Sequence, residues 1–215
     1  MVLNQKKTKV MIFNFTDNHQ FTTRLKLNNE NVEIVKYAKL LGVIISDDMK
    51  WDKNTDFLVK KANARMELLR KVASFGTSID EKKNIYILYI RSILEQSCVV
   101  WHSSLTAENS DNLERIQKSA VKIILGKQYK TYEEALEKID LQPLNERRDE
   151  LCLNFAKKCL KSEKVKGIFP VNEKSHQMDL RNTEQYVVKH ANTERLKMSA
   201  IPYMQRLLNT DYQHK

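Results

Sequence analysis

Four glycines and three prolines in 215 residues leave this chain few places to turn sharply. Tight turns rely on glycine's positive φ or proline's fixed φ. A turn-rich β-sandwich is therefore excluded, and long helices with short connections are expected. The same scarcity leaves little material for a phosphate-cradling loop: no G-x-x-x-x-G-K-S/T, G-x-G-x-x-G or G-x-S-x-G occurs. The length suits one ordinary domain or two small ones. A 41% hydrophobic share beside 30% charged residues marks a globular chain. The longest bulky apolar run, Ile85 to Ile90, falls far short of the roughly 18–20 residues a membrane span needs. Met1 to Lys7 carry charges with no apolar stretch, and Cys98, Cys152 and Cys159 form no C-x-x-C pair. The expectation is an intracellular protein, cytoplasmic or nuclear and not secreted, with no membrane partner.

The formal net charge of +10 favours a polyanionic partner. Residues 1–71 carry 14 basic and 8 acidic side chains, residues 72–150 carry 11 and 13, and residues 151–215 carry 12 and 6. The positive excess thus sits at the two ends, around a nearly neutral middle.

Periodicity divides the chain. Thr8, Val10 and Ile12 alternate with Lys9, Met11 and Phe13, as in a half-buried strand. Leu25 and Leu27 before Asn28-Asn29, with Val32 and Ile34 after, predict a β-hairpin. The run Leu40-Leu41-Gly42-Val43-Ile44-Ile45 predicts a further strand in which Gly42 marks a bulge or a close backbone approach. From Asp52 the period becomes helical, with Leu58, Ala62, Arg65, Leu69 and Val72 on one face. Ser78-Ile79-Asp80-Glu81 is a capping box opening a helix to about Trp101 that is apolar nearly all round (Ile85, Ile87, Leu88, Ile90, Ile93, Leu94, Val99) and is expected at the buried centre. Ser110 is a candidate cap for a helix with Leu113, Ile116, Ala120 and Ile124 on one face and Gly126 past its end. Thr131 to Glu134 forms a second capping box. Pro143 suits the first turn of a helix lined by Leu144, Leu151, Phe155 and Cys159. Beyond Gly167 the sequence is polar and extended until a short helix from about Ser199 to Leu208. The fold class expected is α+β, mainly α: a small antiparallel β element with a hairpin over 1–51, a helical bundle over 52–166, and an extended tail with a short terminal helix over 167–215.

Catalytic candidates are few. Asp47-Asp48 is the only adjacent aspartate pair. Two-metal chemistry needs carboxylates converging on ions about 4 Å apart, whereas neighbours at a strand end are turn residues. The histidines stand singly, with no H-E-x-x-H helix. Composition and spacing point away from a self-sufficient enzyme, and no catalytic or metal-binding residue is assigned.

The order of motifs nevertheless resembles the C-terminal part of the reverse transcriptases of jockey-like, non-long-terminal-repeat retrotransposons. Asn4-Gln5-Lys6-Lys7-Thr8-Lys9-Val10-Met11-Ile12-Phe13, then Lys39-Leu40-Leu41-Gly42-Val43-Ile44-Ile45 with Trp51 beyond, is similar to the end of the palm. Tyr89-Ile90-Arg91-Ser92 with Leu94-Glu95 and Val100-Trp101 resembles the family's next helix. Leu113-Glu114-Arg115-Ile116-Gln117-Lys118 with Gly126, Leu141 through Leu144 to Arg147-Arg148, and Ser199, Ile201, Pro202 and Leu208-Asn209 follow in the same order.

The resemblance implies roles for particular residues. Lys7 would lie near an incoming nucleotide's phosphates. Lys39, Leu40, Leu41 and Gly42 would form the primer grip, a hairpin whose backbone holds the primer's 3′ end. The helices after Asp52 would be the thumb, with Lys53, Lys60, Lys61, Arg65, Arg70 and Lys71 on the phosphates of an RNA or DNA duplex or hybrid. Such contacts give affinity and position without reading sequence. The family's catalytic aspartates lie upstream of the Lys7 motif, and no Y/F-A-D-D stands in these residues. The Mg2+ of the intact RNA-directed DNA polymerase therefore has no ligands here. Gln96 and Ser97 stand where the family has tyrosine and glycine, so different packing is expected there. The function expected is sequence-independent nucleic-acid binding by a mobile-element fragment that is not catalytic alone. A piece that completes a polymerase with another chain, and a helical protein-interaction module, are the alternatives.

Overall fold

The computed structural model describes residues 8–15, 25–27, 30–172, 185–188 and 190–213, which divide into two compact units, Met1–Phe57 and Leu58–Lys215. In the first unit β1 (Lys9–Val10) pairs in parallel with β4 (Glu33–Ile34), and β2 (Lys26–Leu27) pairs antiparallel with β3 (Glu30–Asn31). Leu27 stands opposite Glu30, so two residues remain for the turn, as the hairpin expectation requires. Asn28, Asn29 and Lys7 themselves lie outside the described residues. The parallel pair departs from the antiparallel element expected. A parallel return needs a connection of about a dozen residues, and the long stretch between Val10 and Glu33 supplies it.

Leu40 to Ile45 is not one strand. β5 (Tyr37–Leu40) and β6 (Val43–Ser46) run antiparallel with Leu40 opposite Val43. Between them Leu41 and Gly42 both have positive φ, 48° and 92°. Positive φ at both central residues is the type I′ turn, whose twist matches that of the strands. Gly42 is thus a turn glycine rather than a bulge. Asn54 fastens this hairpin to the helix start, its Oδ1 accepting from Ile44 N at 3.1 Å.

The rest is helical. α1 (Asp52–Ser74) buries Leu58, Ala62, Met66 and Leu69. Arg65, placed in that row by counting, is exposed, and Met66 one position on is buried instead. Burying a guanidinium without a partner costs more than any packing it adds. α2 (Ile79–Ile85) opens with the expected box: Glu81 N donates to Ser78 Oγ and Ser78 N to Glu81 Oε2 at 2.8 Å. The expected single helix to Trp101 is broken. A π-helical turn spans Tyr86–Arg91, α3 (Ser92–Leu94) follows, and Ser97 at φ 54° precedes α4 (Cys98–Trp101). Tyr86, Ile90, Ile93 and Leu94 are buried, but Leu88 is 66% exposed, because the broken helix still has an outer face.

α5 (Ala107–Leu125) is capped by Thr106, whose Oγ1 accepts from Asn109 N, and not by Ser110. Its face of Leu113, Ile116, Ala120 and Ile124 is buried as expected, and Gly126 closes it at φ 52°. Thr131 caps α6 (Tyr132–Lys138). α7 (Leu144–Leu160) begins just after Pro143 and buries Leu144, Arg148, Cys152, Ala156 and Cys159. Leu151 and the exposed Phe155 are not in that row. After α8 (Glu194–Lys197), α9 (Ala200–Gln213) runs past Leu208. α7 packs on α4, α5 and α9, and Cys152, Ala156, Cys159, Phe169, Met204 and Leu208 form one apolar cluster. The architecture is mainly helical α+β. Among the described residues no helix is long and apolar enough to cross a membrane.

Candidate nucleic-acid interface

The hairpin of the first unit carries its named residues outward. Lys39 and Leu40 are exposed on β5, and Leu41 at the tip is 93% exposed. Positive φ costs a non-glycine residue about 1–2 kcal/mol. An apolar side chain at such a position, in open solvent, gains nothing in return within the fold. Lys39 Nζ lies 4.4 Å from the centroid of the Phe57 ring, and Lys53 Nζ 4.7 Å from that of Tyr37. These cation–π contacts hold the Lys39 ammonium over a ring of α1 and that of Lys53 over a ring of the hairpin without neutralising them. Asp47-Asp48 is a turn: Asp47 N donates to Lys36 O, and Asp48 Oδ1 accepts from Lys50 N at 3.0 Å. Among the described residues there is no group of three or more His, Cys, Asp or Glu that could hold a metal ion.

In the second unit Lys60, Lys61, Arg65, Arg70 and Lys71 are all exposed on α1. At about 100° per residue, Lys60 and Lys71 fall within about 20° of each other on the side opposite Leu58 and Leu69. Lys61 and Arg65 form an i,i+4 pair on one flank, and Arg70 lies on the other. Arg70 is the member with a carboxylate partner, Glu67 at 3.3 Å. Lys60, Lys61, Arg65 and Lys71 have none among the described residues. From Lys60 to Lys71 the helix advances about 16 Å. A duplex carries one phosphate charge per about 1.7 Å of its axis with both strands counted, so that length of duplex carries about ten phosphates, part of them on the side a helix would face.

Two buried polar junctions escaped the sequence. Glu114 on α5 accepts from the Tyr132 hydroxyl and, through Oε2, from Leu144 N at 3.0 Å, while Gln117 Nε2 donates to Tyr132 Oη and to Gln142 O. Glu114 thus caps α7 from another helix, where Pro143 offers no side-chain cap. In the second junction Arg148 Nε donates to His102 Nδ1 at 3.0 Å, which leaves the ring proton on Nε2 to donate to Asp149 Oδ1 at 2.8 Å. The Tyr203 hydroxyl donates to the same carboxylate. Burial alone would raise the Asp149 carboxyl, but its donors His102 and Tyr203 outweigh burial and hold it below the usual carboxylate range. Both imidazole nitrogens are engaged, so the ring has no free site with which to take a proton from a nucleophile. The cluster joins the turn after α4 to α7 and α9. The signal for it in the sequence is Arg148 alone, one charged residue on the otherwise apolar row of Leu144, Cys152, Ala156 and Cys159.

Comparison with protein-family models, with curated proteins and with solved structures found no match for this chain.

Proposed function

We propose that this chain is a non-catalytic fragment of a jockey-like reverse transcriptase that binds duplex or hybrid nucleic acid without reading its sequence. The observation that carries the proposal is the set of four cations on α1 with no carboxylate partner among the described residues. On a solvated helix face acids stand i,i+4 to bases, as Asp56 does to Lys60 and Glu67 to Lys71, whereas Lys61 and Arg65 have no acid at that spacing and suit phosphates. The exposed Leu41 tip and the two ring-held lysines supply the first unit's share of contacts. The reverse-transcriptase family rests on the order of motifs in the sequence.

The test is fluorescence anisotropy of a labelled RNA–DNA hybrid at several salt concentrations. The expected result is affinity that falls steeply with salt and is indifferent to sequence. Lys60→Glu, Lys61→Glu, Arg65→Glu and Lys71→Glu combined should abolish it. A flat salt profile, or binding that survives the charge reversal, would overturn the proposal.

A further inference from the structure

The second basic end, residues 151–215, is untouched by the interface just described. Within it lies a cavity of about 340 Å³ between the C-terminal turns of α7 and α9. Ligand pockets run from roughly 300 to 1,000 Å³, so this one has room for a single small, flat group. Leu160 and Leu208 form apolar lining, Tyr186 and Tyr212 contribute two phenol rings, and Gln185 a carboxamide. Lys161 lines the rim, exposed and with no carboxylate partner among the described residues.

The position of Tyr186 is built. Asn209, buried on α9, accepts from Tyr186 N at 2.9 Å and donates to Tyr186 O at 3.0 Å. On its other side the Tyr186 segment forms a β-bridge to Val171, with Val187 N donating to Pro170 O. A carboxamide that clamps both polar groups of one residue works as a strand partner does. Lys157 and Asp211, paired at 2.8 Å, tie the two helix ends together and are themselves part of the lining, the carboxylate neutralised by its lysine so that Lys161 carries the net positive charge. The Tyr186 backbone is therefore held from two sides.

We propose that this cavity takes one nucleobase, stacked on Tyr186 and Tyr212, with the attached phosphate on Lys161. Two aromatic rings in the lining suit a planar group, the Gln185 carboxamide can donate to or accept from its polar edge, and the unpaired ammonium favours an anionic one. Stacking on aromatic rings tolerates every base because each has a π-face. The inference takes nucleic acid as the ligand class from the reading above, but it uses different residues and a single-stranded ligand.

The test measures anisotropy of a labelled oligothymidylate and of an abasic strand of equal length, on the full chain at one salt concentration. The expected result is about 5- to 100-fold tighter binding of the strand that has bases. Tyr212→Ala should erase that ratio, whereas Tyr212→Phe, which keeps the ring, should preserve it. Tyr212 is 52% exposed near the end of α9, so its truncation leaves the core intact. Thymidine monophosphate as competitor separates the sources: displacement identifies a free nucleotide as sufficient, and its failure beside displacement by unlabelled oligothymidylate identifies a strand. Equal affinity for the abasic strand, or a ratio unchanged by Tyr212→Ala, would overturn the proposal. The charge-reversed α1 variant keeps the two readings apart. It should lose the hybrid yet retain the preference for bases. An intact chain that failed to bind the hybrid but kept that preference would sink the α1 reading alone.

Discussion

Leu41 breaks a local rule at a cost. The type I′ turn it occupies prefers Asn-Gly, yet a leucine stands there at φ 48°, 93% exposed. Leu41→Asn should relieve strain and stabilise the chain by about 1 kcal/mol, read as a higher urea midpoint. If the tip touches nucleic acid, the same variant should bind the hybrid more weakly, so stability and affinity move in opposite directions. A gain in both would remove the tip from the interface. Ser97 is the second such residue, at φ 54° between α3 and α4. Its neighbour Gln96 is committed through its carbonyl, which accepts from Trp101 Nε1 at 3.0 Å. Ser97→Gly should raise stability by up to about 1 kcal/mol, since glycine loses the steric penalty but adds unfolded-state entropy. At Asp149 the depressed folded pKa sets the sign of a pH effect. The ionised form favours the folded state, so its contribution is complete above the ordinary carboxylate range near about pH 4 and fades as pH falls through the lower folded value. Urea midpoints measured between about pH 5 and pH 2 should therefore fall less steeply for Asp149→Asn than for the parent chain.

At the scale of elements, α7 depends on a carboxylate that belongs to α5. Its first turn follows a proline with no side-chain cap, and Glu114 supplies the acceptor for Leu144 N. Glu114→Ala leaves that donor and the Tyr132 hydroxyl without their partner. The expected loss is about 1–3 kcal/mol, measured by urea denaturation, with Glu114→Gln losing less because its amide oxygen can still accept. Local signals in the sequence were enough to find the Ser78–Glu81 box, the Thr131 cap, Gly126 and the Asp47-Asp48 turn, because each depends on residues within four positions. The buried row of α7 was not legible that way. Counting found its two ends, Leu144 and Cys159, but put Leu151 and Phe155 between them, where the row itself has Arg148, Cys152 and Ala156, small or charged residues that tertiary contacts bury. Arg148 is buried because His102 and the Trp101 ring receive it, and neither partner lies within forty positions. The same limit hid the Glu114 cap and the Asn209 clamp. The cations on α1 were legible as candidates, but that four of them lack partners is a fact of three-dimensional placement.

Across the whole chain, the two modes of nucleic-acid binding proposed for the basic ends predict different responses to salt. Neutralising Z phosphates makes log K fall against log salt with a slope of about −0.9Z on duplex. The four unpartnered cations of α1 alone give about −3.6, and Lys53 and Arg70 bring the sum to about −5.4. Between 50 and 200 mM salt these slopes correspond to losses of about 150-fold and about 2,000-fold. Lys60→Gln, Lys61→Gln, Arg65→Gln and Lys71→Gln combined should lift the slope for an RNA–DNA hybrid from about −5.4 toward about −1.8. Base stacking releases few counterions, so the ratio of oligothymidylate to abasic affinity should stay nearly constant over the same salt range. A hybrid slope unmoved by the four glutamines would mean that the phosphates lie elsewhere on the molecule. A stacking ratio that collapsed with salt would mean that Lys161 and its neighbours, rather than the tyrosine rings, hold the strand.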